Sequence, residues 1–222
     1  MKKGIVLNQG QAISLSALTK SNIIKSDLTK VMVGLGWDPV KKVEEKIERN
    51  GLFGLKKTRF VKYNEDIDCD SFALLLHNGK AIQTSDLIYF GQLNHPSGYA
   101  YHSGDNLTGI GDGDDECIYI DLEHIECDSI ILGVVMYDAV LRNQHMGLLK
   151  NAFIRLVDDK TKTEICKFSL NHQYSGFYSM ILGELVKQDG QWGFIAVGTP
   201  IMAESITDIA RMYGMPNNYR TF

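Results

Sequence analysis

The sequence predicts a mostly β protein, an antiparallel β-sandwich with a few short helices. Short apolar or alternating runs rich in Val, Ile, Tyr and Phe recur along the 222 residues, and each has the length of a strand. Gly, Asn and Asp separate these runs, as they do at turns. The sequence lacks the regular alternation of strands and long helices that a parallel α/β sheet requires.

The predicted strands follow one another with recognisable turns between them. In chain order the runs are TKVMVGLGW, CDSFALLLH, DLIYFGQL, ECIYIDLEHI, SIILGVVMYD, NAFIRLVDD, EICKFSL and YSMILGELVKQDGQWGFIAVG. Asn78-Gly79 and Asp189-Gly190 each lie between two such runs. We expect tight turns at both places, because a primed two-residue turn needs positive φ and Gly adopts it without strain.

Helix signals are confined to two segments. In DPVKKVEEKIERNG, Asp38 is a possible N-cap, Pro39 stands at the first position and Gly51 is a stop signal, with apolar residues at helical spacing between them. The second segment is ESITDIARMYG near the C-terminus. We expect a single domain over residues 1–222 with a basic helical insertion at about 39–65.

The aromatic and cysteine residues indicate a packed core. Trp37 and Trp192 lie in apolar strand runs, where a large ring fills the space between sheets. The cysteines lie mostly in apolar runs and show no C-x-x-C spacing, which favours buried free thiols over a disulfide framework or a zinc site: Cys69, Cys117, Cys127 and Cys166.

Charge is distributed unevenly along the chain. Residues 81–141 contain no Lys or Arg but eleven Asp and Glu, whereas residues 40–62 contain eight basic residues and three acidic ones. The first residues, MKKGIVLNQGQAISL, contain no apolar run of signal-peptide length. We expect a soluble, unexported, cytoplasmic protein with an acidic middle beside a basic segment.

The stretch SGDNLTGIGDGDDE, residues 103–116, crowds carboxylates into a glycine-rich turn. Adjacent carboxylates repel, so the stretch is either solvated or holds a cation. Ca²⁺ takes six to eight oxygen ligands from carboxylates, carbonyls and water, and Asp/Asn/Gly loops supply them. The spacing is not that of an EF-hand, because Leu107, Gly109 and Ile110 stand at its third, fifth and sixth positions.

A second acidic run, EDIDCDS, places Asp66, Asp68 and Asp70 at every other residue. If this segment is extended, the three side chains lie on one face of a strand. Three like charges on one face are hard to place in a core. On spacing alone, both a metal site and a solvated acidic surface remain open.

Taken together, the motifs resemble the TerD family of tellurite-resistance and general stress proteins. The matching pieces are LTKVMVGLGWD, DIDCDSFALLL, DLIYFGQLNHPSGYAYHSGDNLTGIGDGDDE, VVMYDA, NAFIRLVD and GELVKQDGQWGFIAVG, in the family's order and over nearly the whole chain. The resemblance implies a β-sandwich that binds Ca²⁺, with two ions expected, through its acidic loops and has no catalytic activity.

The resemblance also implies a set of metal ligands by position. The implied ligands are Asp66, Asp68, Asp70, Asp105, Asn106, Asp112, Asp114, Asp115 and Glu116, with Gly109 and Gly111 as carbonyl ligands. The motif does not decide which of them touch the metal. The chain departs from the family by the insertion between Pro39 and Glu65 and by Ile110, where an acidic or small residue is common.

The sequence fits other functional classes less well. The segment GLFGLKKT lacks the spacing of a P-loop, and the six His are scattered with no G-x-S-x-G. A calcium-dependent carbohydrate-binding sandwich remains an alternative, with Tyr99 and Tyr101 available to hold a sugar. A metal-dependent hydrolase is a weaker alternative.

The basic insertion suggests partners. The functional interpretation is docking onto an acidic surface: another stress-response protein, a second copy of this chain, or an anionic lipid surface at the inner face of the membrane. An ordinary solvated amphipathic helix packed on the edge of the sandwich is the simpler alternative. We expect no nucleic-acid partner, because the rest of the chain is acidic enough to repel phosphates.

Overall fold

The computed structural model describes residues 4–20, 28–38, 40–50, 55–65, 67–109, 113–170 and 174–216; for Lys20, 40–50 and 55–65 it describes the backbone only. The described strands are β1 (Ile5–Leu7), β2 (Ala12–Ser14), β3 (Lys30–Asp38), β4 (Val40–Asn50), β5 (Leu55–Glu65), β6 (Cys69–Leu76), β7 (Leu87–Ile88), β8 (Ala100–His102), β9 (Glu116–Asp121), β10 (Ser129–Met136), β11 (Lys150–Asp158), β12 (Thr163–Ser169), β13 (Ser179–Gln188) and β14 (Gln191–Ile201). The helices are α1 (Leu15–Lys20) and α2 (Ile206–Met212), with 3-10 turns at Thr84–Asp86 and Met146–Leu148. The mostly β prediction is confirmed.

Two six-stranded sheets form the sandwich. One has the order β1-β12-β11-β3-β9-β8 and the other the order β2-β14-β13-β10-β6-β7. Every described pairing in them is antiparallel except that of β1 with β12. One core cluster joins Val33 and Ile154 of the first sheet to Leu132 and Leu182 of the second. The predicted antiparallel β-sandwich is therefore confirmed.

Both predicted turns are present. Asp189 and Gly190 have φ values of 49° and 74° and connect the paired strands β13 and β14. Asn78 and Gly79 have φ values of 53° and 75° within a short bridge. The turns adopt the left-handed conformation that the Asp-Gly and Asn-Gly pairs favour.

The C-terminal helix covers the outer face of the second sheet. The Ser205 hydroxyl accepts a hydrogen bond from the Asp208 backbone at 3.1 Å and so caps α2. Ile209 packs in a second core cluster with Phe72 and Ile131, which lie on the central strands β6 and β10. Both strands are consequently buried at every position. Among the described helices, none has the length and apolar character needed to cross a bilayer.

The predicted helix after Asp38 is wrong. Residues 40–50 form β4, which pairs antiparallel with β5 from Val40↔Glu65 to Asn50↔Leu55. Val43 and Ile47 are four residues apart, and this even spacing places them on one face of a strand as well as one face of a helix. The sequence of β5 contains Thr, Phe, Val and Tyr, which have high strand propensity and supply the pairing partner. The basic insertion is a β-hairpin.

The core predictions are confirmed. Trp37 is 3% exposed and donates its indole N–H to the Ile67 carbonyl at 2.9 Å. Trp192 is 7% exposed and donates to the Leu122 carbonyl at 2.8 Å. All four cysteines are free thiols; Cys117 is half-buried and the others are buried.

Removal of a core side chain should destabilise both sheets together. Ile130 of β10 is 0% exposed and lies in the cluster between the sheets. We expect Ile130→Ala to lower the free energy of unfolding by about 2–5 kcal/mol, measured by urea denaturation. Val6→Ala removes an exposed side chain and is the control, with a change of less than about 0.5 kcal/mol. Equal effects of the two changes would contradict the assigned core.

Candidate metal centre

The two acidic stretches meet at one end of the sandwich. Asp68 directly precedes β6, Asp70 lies on β6, and Asp105 lies in the loop between β8 and β9. One carboxylate oxygen of each residue lies within 4.8 Å of the others. Asp68 and Asp70 are each 5% exposed, whereas Asp105 is exposed. We call these three residues the acidic group.

Backbone contacts fix the position of Asp68. The indole N–H of Trp37 donates a hydrogen bond to the carbonyl of Ile67, the residue before Asp68. The backbone N–H of Tyr137, just after β10, donates to the Asp68 carbonyl at 2.9 Å. Backbone hydrogen bonds thus tie the Ile67–Asp68 segment to Trp37 of the first sheet and to Tyr137 after β10 of the second.

The loop that supplies Asp105 is organised around Asn106. The Asn106 side-chain carbonyl accepts hydrogen bonds from the backbone N–H groups of Thr108 and Gly109, and its amide donates to Asp115 at 3.0 Å. Gly109 has a φ of 61°, and a Cβ there would stand 2.3 Å from the Trp37 indole nitrogen. Glycine at this position is therefore required for close packing on Trp37.

Glu116 anchors the other end of this loop in a buried hydrogen-bond network. Its carboxylate accepts from the backbone N–H groups of Ser71 at 2.7 Å and Asn106 at 3.2 Å. The His102 Nε2 atom lies 3.3 Å from the same carboxylate and 2.8 Å from the Ser71 hydroxyl. His102 Nδ1 accepts from the Gly104 backbone, so Nε2 carries the proton and is the donor. These neutral donors compensate for the burial of Glu116.

Asp114 and Asp115 are also engaged by protein groups. Arg155 of β11 forms a two-point ion pair with Asp114, with both N–O distances 2.7 Å. This pair raises the pKa of the Arg155 guanidinium. Gly34 makes room for it, since a Cβ there would stand 2.3 Å from the Asp114 carboxylate. Asp115 accepts from the Trp37 backbone N–H at 2.8 Å, and burial raises its pKa.

The carboxylates of the acidic group are electrostatically strained. Burial, followed by the charges of Glu116, Asp68 and Asp105, raises the pKa of Asp70 to about 8. Burial and then Asp105 raise the pKa of Asp68 to about 6, against a lowering by Arg142. Burial and Glu116 raise the pKa of Asp105. The charged form of each carboxylate is therefore disfavoured in the absence of a cation.

One oxygen of this group has no protein partner. Asp68 Oδ1 is buried and makes no hydrogen bond with the described residues. The Arg142 guanidinium lies 3.7 Å from the other oxygen, Oδ2, which is beyond hydrogen-bond distance. A buried carboxylate oxygen without a donor is costly, and a metal ion would remove that cost.

The donor set fits a hard divalent cation. The three nearest ligands are carboxylates, and hard cations such as Ca²⁺ and Mg²⁺ prefer oxygen, whereas Zn²⁺ and Cu²⁺ favour nitrogen and sulfur. Asp68, Asp70 and Asp105 would hold such an ion, which would neutralise their mutual repulsion. The residues present therefore fit the metal that the sequence motif implies.

The structure separates the implied ligands into distinct roles. It brings Asp68, Asp70 and Asp105 together. It uses Asn106, Asp115 and Glu116 to shape the loop, pairs Asp114 with Arg155, and packs Gly109 on Trp37. Asp66, Gly111 and Asp112 lie outside the described residues, so their predicted roles stay predictions.

Sequence reasoning missed Ser71, His102 and Arg142. Ser71 follows the acidic run and His102 precedes the acidic loop, but neither forms a motif with the carboxylates. Arg142 is the first basic residue after the stretch 81–141, and that position was the only available signal. These contacts depend on the pairing of strands distant in sequence.

A second candidate group lies elsewhere on the surface. Asp121, Glu123 and His124 also have potential ligand atoms within 4.8 Å of one another. Lys30 lies 3.1 Å from Asp121, and His124 contacts it at 3.0 Å. Asp121 therefore has a cationic partner at hydrogen-bond distance, whereas Arg142 lies beyond that distance from Asp68.

Comparison with known proteins identifies relatives along most of the chain. The model of the TerD domain matches residues 3–213. The stress response protein SCP2 of Bacillus subtilis (strain 168) is 40% identical over 94% of this chain and 98% of its own length. The tellurium resistance protein TerD of Serratia marcescens is 36% identical over 95% of this chain and 97% of its own.

Solved structures support the fold. The crystal structure of a homologue of telluride resistance protein (TerD) from Streptomyces coelicolor A3(2) has a TM-score of 0.59 at 16% identity. The similarity covers 85% of this chain and 99% of that one. At this identity the likeness concerns the arrangement of the sheets alone.

The acidic group should make the metal-free protein less stable as the pH rises. The ordinary pKa of an aspartate is 3.8, and the folded state raises that of Asp68 to about 6 and that of Asp70 to about 8. Between the ordinary pKa and the raised pKa values, the folded protein binds more protons than the unfolded chain. The contribution of these two aspartates to the free energy of unfolding therefore falls as pH rises from about 4 to 8. We expect Asp70→Asn to reduce that fall in urea denaturation with chelator. The same fall in Asp70→Asn as in wild type would contradict the assignment; exposed Glu204→Gln is the control.

Proposed function

Because the chain belongs to the TerD domain family, we propose that it is a non-catalytic stress-response protein of the tellurite-resistance type that binds Ca²⁺ through its acidic loops. The names of its relatives support the biological class, since they include a stress response protein and a tellurium resistance protein. The structure of the acidic group supports the metal.

The observation that carries the proposal is the buried, unpartnered oxygen of Asp68 beside two further carboxylates. Charge repulsion at this group is relieved by a divalent cation. The loop that contributes Asp105 is glycine-rich, and a flexible oxygen cage suits Ca²⁺ better than Mg²⁺, which requires near-ideal octahedral geometry. The expected second ion would draw on further acidic residues of the loop, among them Asp112.

The chemistry of the buried network favours a non-catalytic role. Ser71 and His102 are adjacent, but His102 Nδ1 accepts from a backbone N–H and Nε2 bears the proton. In that tautomer His102 donates to Ser71 and is not the base that a serine nucleophile needs. Burial raises the pKa of the Cys127 thiol to about 12, which disfavours a thiolate nucleophile.

The carbohydrate-binding alternative has less support. Tyr101 stacks on Tyr119 with ring centroids 4.6 Å apart, and Tyr99 stacks on His124 at 5.1 Å. One face of each predicted sugar-binding ring is therefore already covered by a neighbouring side chain.

For partners, we propose that the basic hairpin formed by β4 and β5 docks onto an acidic surface. Its sequence carries eight Lys and Arg against three Glu between residues 40 and 62. A second copy of this chain, another stress-response protein and an anionic membrane face all offer complementary charge. The proposed location is the cytoplasm, including the inner face of the membrane.

Calcium binding is tested directly by calorimetry on chelator-treated protein. We expect Ca²⁺ to bind more tightly than Mg²⁺ or Zn²⁺, and a hundredfold excess over Kd to stabilise the fold by roughly 2.7 kcal/mol. Asp68→Asn and Asp105→Asn should each weaken binding at least about tenfold, whereas Glu123→Gln, in the other acidic group, should not. Tighter binding of Zn²⁺, or loss of Ca²⁺ binding only in Glu123→Gln, would contradict the proposed site. A stoichiometry of two would support the second ion.

Charge reversal tests the hairpin. We expect Lys56→Glu, Lys57→Glu and Arg59→Glu together to abolish salt-sensitive self-association measured by analytical ultracentrifugation, because exposed charges are screened beyond about 10 Å at 0.1 M salt. The matched control reverses the exposed residues Lys80, Lys150 and Lys160 and changes the net charge equally. If both triple variants behave alike, the hairpin has no specific role in self-association.

A further inference from the structure

We propose that Arg142 is a built-in counter-ion of the acidic group, which stabilises the metal-free protein and opposes the binding of Ca²⁺. This inference rests on the proposed calcium binding and concerns the regulation of the same site. Arg142 is not a metal ligand. Its role is to set how tightly the acidic group holds the ion.

The turn that follows β10 holds Arg142 beside the acidic group. The Arg142 backbone N–H donates to the Asp138 carbonyl at 2.9 Å, and the Tyr137 backbone N–H donates to the Asp68 carbonyl at 2.9 Å. The guanidinium lies over the Tyr137 ring, 5.1 Å from its centroid. The backbone of the turn and this ring together keep the guanidinium near Asp68.

The contact between Arg142 and Asp68 is electrostatic. The Arg142 Nη1 atom lies 3.7 Å from Asp68 Oδ2, which is beyond hydrogen-bond distance but close enough for strong attraction between opposite charges. Burial and neighbouring carboxylates raise the pKa of Asp68 and of Asp70, and the charge of Arg142 acts against that rise in both. Arg142 therefore favours the charged form of these carboxylates without donating a hydrogen bond to Asp68.

Carboxylates outnumber the guanidinium at this end of the sandwich. Besides Asp70, the negative charges that act on Asp68 are those of Asp105, Glu116 and Asp138. One positive charge does not offset so many negative ones. The acidic group therefore still attracts a divalent cation, and Arg142 reduces that attraction without abolishing it.

The two oxygens of Asp68 have different surroundings. Arg142 approaches Oδ2, whereas Oδ1 is buried and makes no hydrogen bond with the described residues. A cation at Oδ1 would share one carboxylate with the guanidinium, and two positive charges at one carboxylate repel each other. Ca²⁺ would thus either displace Arg142 or bind against its charge. Both cases lower the affinity below that of the carboxylates alone.

The burial of its partner distinguishes Arg142 from an ordinary surface arginine. Its side chain is 38% exposed, but that of Asp68 is only 7% exposed, and a buried charge is screened less by water and salt. The Arg211 side chain is 37% exposed and lies 3.1 Å from Asp208, whose side chain is 48% exposed. Exposed pairs of that kind contribute little. Arg211 is therefore a matched control for Arg142.

Calorimetry with Ca²⁺ on the chelator-treated full chain tests the proposal. We expect Arg142→Gln to lower the Kd for Ca²⁺ at least about threefold, because a positive charge beside the site is removed. Arg142→Lys keeps the charge and should stay closer to wild type than Arg142→Gln. Arg211→Gln makes the same chemical change far from the carboxylates and should leave the Kd unchanged.

Thermal unfolding gives a second readout, which separates a counter-ion from a residue that merely supports the fold. In chelator, Arg142→Gln should lower the melting temperature more than Arg211→Gln does, because the acidic group loses its counter-ion. With saturating Ca²⁺ the difference between Arg142→Gln and wild type should shrink, because the metal then supplies the positive charge.

The outcomes separate this inference from the function on which it rests. If calorimetry detects no Ca²⁺ binding by wild type or by any variant, the proposed function fails. If wild type and Arg142→Gln bind Ca²⁺ equally, only the counter-ion inference fails. Weaker binding by Arg142→Gln would instead make Arg142 a positioning residue for Asp68 and overturn the inference. An equal drop in melting temperature with and without Ca²⁺ would also overturn it.

Discussion

Repulsion among carboxylates is the constraint to which much of this end of the sandwich responds. Asp68 is buried just before β6 and Asp70 is buried on β6 of one sheet, while Asp105 approaches from a loop of the other sheet. Bringing them together is unfavourable without a cation, and the raised pKa values of all three express that cost. The surrounding hydrogen bonds and ion pairs therefore hold the chain in place against this repulsion.

These contacts use donors of different strength. Asn106 and Trp37 supply neutral N–H donors to Asp115, whereas Arg155 supplies a full positive charge to Asp114. Glu116 is fully buried and relies on backbone donors and on His102. Asp68 retains an oxygen that has no donor among the residues the structure describes. The carboxylates that shape the loop are compensated by protein, and the one that faces the group is not.

The features of this structure that could be predicted are those that depend on residues close together in the chain. The turn at Asp189-Gly190 follows from the conformational preferences of those two residues. The alternation of Asp68 with Asp70 correctly placed both near one strand. The helix predicted after Asp38 was wrong because the four-residue spacing of Val43 and Ile47 suits either periodicity and because β5 decided the pairing. Where a local pattern fits both a helix and a strand, the presence of a partner strand decides between them.

The site itself was predictable in composition but not in geometry. Both acidic stretches were evident in the sequence, yet nothing local shows that Asp114 pairs with a side chain 41 residues away or that Asp105 joins Asp68. Those relations follow from sheet order, which brings strands that are distant in sequence to a common edge. A divalent ion at the acidic group would raise its charge by two. Because Arg142 lies 3.7 Å from Asp68 Oδ2, such a change in charge would alter the electrostatic potential at this end of the sandwich, and with it which charged partners are attracted there.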